Sequence, residues 1–337
     1  MFITHTNSVY SEKLTLLDHV PYPQYVHQIN NGGGIAVRQG VKLMPAELID
    51  YVLKGKHSAE PGTLKFIRSM TELSSCKIGF ILAAGSGNWL GYSSNIERTP
   101  EYPEYKIPLL GSTQVRAGYT ANRIGSFDYI ITDSTSCISG HSAWFTAWHM
   151  ITLGTLDAVV VIAVDNSLSE DYLTIFGENG LSKLLNEEKD PTVNKFRLGQ
   201  GCNITVFESE DCSTNTKHVP LAKVTDMHVA AEFHNTPLGI SDTGIGYKKV
   251  INGVKTTGID FIKTHSTFSD DNQIEEVLIK QKFGDIRTVN YKLRVGHTMG
   301  ASTAIETALA IQEESGKFLS LGAGMGNVFS SAVVEIL

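Results

Sequence analysis

Short aliphatic runs, apolar on both faces and separated by helix-like segments, constrain this chain more than any other feature. They are KIGFILA at 77–83, FDYIITD at 127–133, DAVVVIAVD at 157–165, CNITVFE at 202–208, GIDFIKTH at 258–265, IRTVNY at 286–291 and VFSSAVVEIL at 328–337. Runs of this kind suit central strands of a sheet covered on both sides. Helix-like segments lie between them. PAELIDYVLKG at 45–55 opens on proline, and DDNQIEEVLIKQKFG at 270–284 runs from a capping aspartate to a glycine. MGASTAIETALAIQEESG at 299–316 places Ile305, Leu309 and Ile311 at near-helical spacing. The alternation predicts an α/β fold with a mainly parallel sheet. The polar stretch 207–219 reads as a seam between two halves, 1–209 and 217–337, each built of strand–helix–strand units. No sequence identity between the halves is visible.

The chain has 337 residues, enough for one large domain or two medium ones, and its 42% hydrophobic content marks it as globular. A net charge of −7, with no basic cluster, argues against nucleic acid as a partner. The start, MFITHTNSVY, lacks a secretory layout. The longest apolar run, AVVVIAV, is too short to cross a bilayer. Cys76, Cys137, Cys202 and Cys212 form no CxxC pair and no metal-ligand spacing. A cytoplasmic protein with free thiols, no membrane contact and no metal is expected.

In TDSTSCISGHSAWF, Cys137 follows a strand by a tight turn and opens a helix. The unpaired N–H groups and dipole of a helix start favour thiolate and can hold an oxyanion, which predicts a lowered thiol pKa and a covalent nucleophile. The competing reading is a small buried side chain packing as alanine would, and residue type alone favours it. Two histidines change the balance. His265 ends an apolar strand, and His297 sits between a strand and a glycine-containing helix start. Strand C-terminal ends in parallel sheets are where sites collect. His141 and His149 have no metal spacing and read as packing or surface groups. Trp144, Phe145 and Trp148 read as core or acyl-pocket lining. GAGMGN at 322–327 is rejected as a dinucleotide loop because a strand and the chain end follow it. NNGGGIAV at 30–37 reads as a loop.

Three segments, in this order, resemble the β-ketoacyl-acyl-carrier-protein synthases, the thiolase-fold condensing enzymes of fatty-acid and polyketide assembly. Residues 119–143 resemble the segment around the nucleophile, with Cys137 in that place. THSTFSDDNQIEE at 264–276 resembles the His-Gly-Thr-Gly-Thr motif, with His265 as its histidine. YKLRVGHTMGASTAIETALA at 291–310 resembles the lysine and second-histidine segment, with Lys292 and His297. The glycine-rich tail from Leu321, FRLGQGCNITVFE at 196–208 and FGENGLSKLL at 176–185 add to the likeness, which covers most of the chain from about Ala117 onward.

The resemblance implies two similar α/β halves packed as a layered α-β-α-β-α sandwich. It implies an acyl chain on Cys137, His265 and His297 acting on a malonyl-type thioester, and Lys292 in support. Glu276 stands where the family has a supporting acid, and it reads equally well as a solvated carboxylate beside Glu275. Thr267 and Ser269 would touch a pantetheine arm. The backbone N–H groups of Cys137 and Ala323 would form the oxyanion hole. No cofactor is implied, since phosphopantetheine belongs to an acyl carrier protein, the expected partner alongside a homodimer or a heterodimer with a second ketosynthase-like subunit. Phe268 replaces a glycine, Ala323 replaces a gating phenylalanine, and the chain is shorter than the family's. The alternatives are a thiolase-fold acyltransferase, a priming decarboxylase, or a chain-length-factor-like partner subunit. The presence of a cysteine at 137 argues against the last.

Overall fold

The computed structural model describes residues 1–13, 24–30, 33–38, 48–49, 52–53, 62–73, 76–85, 112–165, 199–235, 240–241, 243–267 and 272–337. The strands are β1 (Phe2–Lys13), β2 (Gln24–Asn30), β3 (Gly33–Arg38), β4 (Ile78–Ala83), β5 (Tyr129–Asp133) and β6 (Ala158–Asp165). They continue with β7 (Gly201–Glu208), β8 (Ala222–Ala231), β9 (Phe261–Lys263), β10 (Arg287–Val289), β11 (Lys317–Gly324) and β12 (Val328–Ile336). The helices are α1 (Gly62–Leu73), α2 (Thr113–Ile124), α3 (Ser139–Thr152), α4 (Glu210–Thr216), α5 (Ile245–Asn252), α6 (Asn272–Phe283), α7 (Lys292–Val295) and α8 (Ser302–Glu313). Most of the segment 45–55, all of 176–185 and the aspartates before α6 lie outside the described residues.

All the described strands join one sheet, ordered β10-β9-β11-β12-β8-β1-β7-β6-β4-β5, with the β2–β3 hairpin attached to β1. Read outward from β1 and from β8, the two arms repeat one pattern. The first strand pairs antiparallel with the last, the last antiparallel with the fourth, and the second and third add in parallel. The arms meet where Phe2 and Ile3 pair with Lys223 and Ala222. The expectation of a mainly parallel sheet is corrected. Among the described strands only β4–β5, β4–β6, β9–β10 and β9–β11 are parallel, because each arm's last strand returns as an antiparallel neighbour of its first. Two local readings change as well. Residues 33–38 are a strand, held by pairing with β2. The polar seam holds a short helix, α4, capped by the Ser209 hydroxyl, which accepts the Cys212 N–H at 3.1 Å.

The arms face each other across α3 and α8. Helix α3 packs on β4 and β6 of its own arm and on β8 of the other, and α8 on β9 and β11 as well as β1 and β7. Their shared core includes Trp144, Phe207, Phe261, Leu309 and Phe318. Helices α1 and α2 cover the outer face of one arm, and α5 and α6 that of the other. The result is a five-layer α-β-α-β-α sandwich. Small residues let the central helices touch: a methyl at Gly140 would come within 2.8 Å of the Ala304 Cβ. Every residue of α8 from Ser302 to Ile311 is buried. Its spacing of Ile305, Leu309 and Ile311 is therefore part of an all-round buried surface and not a one-sided stripe. No helix among the described residues is long and apolar enough to cross a membrane.

Candidate active site

Strand β5 delivers the chain to Asp133, which accepts from the hydroxyls of Thr135 and, at 2.6 Å, Ser142. Ser139 accepts the Thr135 N–H at 2.9 Å and donates to the Ser136 carbonyl at 2.6 Å. These bonds hold Ser136 at φ 54°, a left-handed conformation that costs a non-glycine residue on the order of 1 kcal/mol or more. Cys137 follows in a 3-10 turn, Ser136–Ile138, that leads into α3. A side chain at Gly324 would lie 3.2 Å from the Cys137 amide, so the end of β11 closes over the turn.

Burial pushes the Cys137 thiol above its ordinary value. The Ser136 hydroxyl, 3.6 Å from the sulfur, the Met325 backbone N–H and the charge of Lys292 oppose that rise, and Asp165 adds to it. The expectation of a lowered pKa is thus corrected: enclosure outweighs the helix start, and the sulfur rests as a thiol.

His265 follows β9 and is 5% exposed. Its loop is clamped by Glu275 of α6, whose two carboxylate oxygens accept the His265 N–H at 2.7 Å and the Ser266 N–H at 2.8 Å. His297 follows α7 through Gly296. Its carbonyl accepts the Gly199 N–H at 2.9 Å, and its Nδ1 accepts the Met299 N–H at 3.0 Å. The two rings lie 5.5 Å apart, centroid to centroid, at 85°. Lys292 Nζ stands 3.4 Å from His265 Nδ1. An ammonium only donates, so His265 Nδ1 accepts. Both imidazoles therefore carry their proton on Nε2. Burial, then the charge of Lys292, holds both below the ordinary imidazole range, His297 at about 3.

Glu306 is the buried acid that pairs with the lysines of the site. It accepts from Lys292 at 2.7 and 2.9 Å, from Lys263 at 3.3 Å and from the Ser302 hydroxyl. Burial would raise its carboxyl, but the two lysines bring it below its ordinary value. Sequence reading passed over Glu306, Lys263 and Glu275. The available signal was a charged side chain inside an apolar run, ASTAIETALA and DFIKTH, because charges seldom sit fully inside unless paired. His141 is also wholly buried, with Nδ1 3.0 Å from the Ser330 hydroxyl and Nε2 3.0 Å from that of Thr307. Asp165, at the end of β6, accepts the N–H groups of Gly85 at 2.9 Å and Gly300 at 3.0 Å, joining the His297 turn to the other arm.

Lys292 thus acts electrostatically on Cys137, His265 and His297 together, although they come from three separate segments. Thr267 is half-buried at the end of the described loop, and Phe268 and Ser269 lie outside the described residues. Ala323 is buried on β11, with its methyl in the outer core that holds Tyr247, Ile279 and Phe329. The backbone N–H at the sulfur is that of Met325. Glu276 is corrected. One residue beyond Glu275, it points out of the helix and lines a surface cavity of about 340 Å³ with Ser266, Lys280 and Asp285.

No family model matches the chain. A provisionally assigned mitochondrial 3-oxoacyl-[acyl-carrier-protein] synthase of Schizosaccharomyces pombe is 24% identical over 223 residues, 58% of this chain and 52% of that protein. The chain thus spans about half the length of this curated relative. Among solved structures, a type II polyketide acyl-carrier protein in complex with its ketosynthase superposes with a TM-score of 0.62 and 17% identity, over 77% of this chain and 78% of the other. The ishigamide ketosynthase/chain length factor gives 0.64 at 15% identity, over 77% and 76%. A Streptomyces albus oxazolomycin ketosynthase domain gives 0.62 at 13% identity, over 89% and 61%. The chain has the thiolase-like fold of these ketosynthases.

Proposed function

We propose that this chain is a β-ketoacyl-acyl-carrier-protein synthase, joining a malonyl-type thioester to an acyl chain held on Cys137 by decarboxylative Claisen condensation in fatty-acid or polyketide assembly. The observation that carries the reading is the buried pair His265 and His297, whose Nδ1 atoms meet Lys292 Nζ and the Met299 N–H and so leave Nε2 as the donor, beside a buried cysteine on which Lys292 also acts.

In the first stage the Cys137 sulfur attacks the carrier thioester, the carrier's C–S bond breaks, and the thiol proton leaves with the carrier thiolate. In the second, the malonyl C–COO⁻ bond breaks, CO2 departs, and the electron pair passes into an enolate. The Nε2–H groups of His265 and His297 donate to its oxygen, each such donor being typically worth ~2.7–4 kcal/mol in the transition state. The enolate carbon then attacks the acyl-Cys137 carbonyl and the C–S bond breaks, freeing the sulfur. The Cys137 and Ala323 amides serve as the oxyanion hole of the acyl step, with the Met325 N–H supporting the sulfur. Thr267 and Ser269 contact the pantetheine arm. The acyl carrier protein brings the phosphopantetheine, and the chain works as a homodimer or beside a second ketosynthase-like subunit.

Incubation with acyl-carrier and malonyl-carrier protein, following CO2 and the extended product together, tests the reading. Both are expected. CO2 without extension makes the chain a priming decarboxylase, and acyl transfer without CO2 makes it an acyltransferase. Neither, by a chain that acylates nothing, overturns the proposal.

A further inference from the structure

Lys263 is wholly enclosed on β9 between the two arms of the sheet. Its ammonium donates to the Leu321 carbonyl of β11 at 2.8 Å and to Glu306 Oε2 at 3.3 Å. Glu306 is already held by Lys292 through both oxygens. Two buried cations therefore share one carboxylate. Enclosing an ammonium costs several kcal/mol even after relaxation, and a carbonyl alone does not offset that. A neutral donor would satisfy the Leu321 carbonyl equally well.

A single Lys292–Glu306 pair would be neutral as a unit and would exert little field on its neighbours. With Lys263 added, the three groups Lys292, Glu306 and Lys263 carry one positive charge, offset in part by the nearby Glu275 carboxylate, where the dielectric is low and charges act strongly. Burial brings the Lys263 ammonium down to about 8, so its charge is present at neutral pH and is lost above that. Lys263 touches Glu306 on α8 and interacts electrostatically with Lys292 on α7, Glu275 on α6, His141 on α3, and His265 and His297 on their loops. We propose that Lys263 is a positioning residue for the condensing reaction: by sharing Glu306, it keeps the charge of Lys292 from being cancelled and so holds His265 neutral, with Nδ1 turned to Lys292 and the Nε2 proton free for the substrate. This role rests on the proposed condensing function for its purpose and on the geometry alone for its existence. The Lys263 charge lowers the pKa of His265, His297 and His141, in line with it.

The test is an NMR titration of the protein labelled with ¹⁵N in its histidine rings, with the His265 signal assigned by its loss in His265→Gln. Wild type is compared with Lys263→Gln, which keeps a donor for Leu321 and loses the charge. In wild type, His265 should stay neutral, with its proton on Nε2, well below the ordinary imidazole value of about 6.5. In Lys263→Gln its proton affinity should rise about tenfold, one pH unit. An unchanged titration in Lys263→Gln, or a wild-type His265 that titrates near 6.5, overturns the inference, and the wild-type measurement alone decides if the variant does not fold. Malonyl decarboxylation by the same samples separates the two proposals. A chain that shows the shift but releases no CO2 refutes the condensing function alone. A chain that condenses but shows no shift refutes the role of Lys263 alone.

Discussion

The backbone N–H of Met299 donates to Nδ1 of His297 at 3.0 Å, and this one contact decides which nitrogen of the ring is left for chemistry. Met299 reaches it at φ 47°, in the left-handed region. The same device appears at Ser136 before Cys137. In both arms a strained residue opens a 3-10 turn ahead of a central buried helix; the first turn carries Cys137, and the second begins two residues after His297.

Replacing His297 by alanine should therefore separate the two stages of the reaction. Malonyl decarboxylation should fall by roughly 100–1,000-fold, the usual loss of one preorganised donor. Acylation of Cys137 should survive. Rates of CO2 release and of adduct formation, measured on the same preparation, check this.

The buried imidazoles also make stability depend on pH. His297 is held at about 3 in the fold and returns to 6.5 when the chain unfolds. As pH falls below 6.5 the unfolded chain takes up the proton first, so stability is lost between 6.5 and about 3 and this contribution is flat below that. At about 1.4 kcal/mol per unit the span amounts to on the order of 5 kcal/mol. Urea denaturation at a series of pH values should show this fall, and His297→Gln should make it shallower, leaving the part that His265 and His141 contribute.

Glu275 and Glu276 are adjacent and should behave in opposite ways. Glu275→Ala strips the partners from two buried backbone N–H groups, each worth about 1–3 kcal/mol when left unsatisfied, and frees the His265 loop. Glu276→Ala removes an exposed carboxylate and should change stability by less than about 0.5 kcal/mol. Denaturation midpoints of the two variants, with malonyl turnover alongside, make the comparison.

The contrast between those neighbours shows where sequence reading stopped. Runs such as DAVVVIAVD announce buried strands because no polar side chain interrupts them, and Cys137 and His265 stand just past strand ends where the pattern changes, whereas His297, read as following a strand, follows the short helix α7. Which of two adjacent glutamates faces inward depends on helix phase, fixed only when α6 docks on the His265 loop. β1 was missed because FITHTNSVY is polar, and its Thr6, Asn7 and Ser8 are buried against Asn203 and Thr205 in a hydrogen-bonded cluster that no hydropathy pattern reveals. Lys263 and Glu306 do interrupt apolar runs, but the contacts that let them be buried join residues 43 apart, with Lys292 as a third partner, and no local pattern shows that pairing.

The contact between the central helices should tolerate no added bulk. A methyl at Gly140 would meet the Ala304 Cβ at 2.8 Å and its backbone nitrogen at 3.0 Å. Gly140→Ala should cost about 1–3 kcal/mol, as overpacked cores do. Thermal unfolding of the variant measures it.

The most direct trial is intact-protein mass spectrometry after incubation with acyl-carrier protein, followed by peptide mapping. One acyl group should appear on Cys137, disappear in Cys137→Ala and be discharged when malonyl-carrier protein is added. A folded wild-type chain that takes up no acyl group at Cys137 from any chain length offered, or one acylated at another cysteine, would contradict the condensing function.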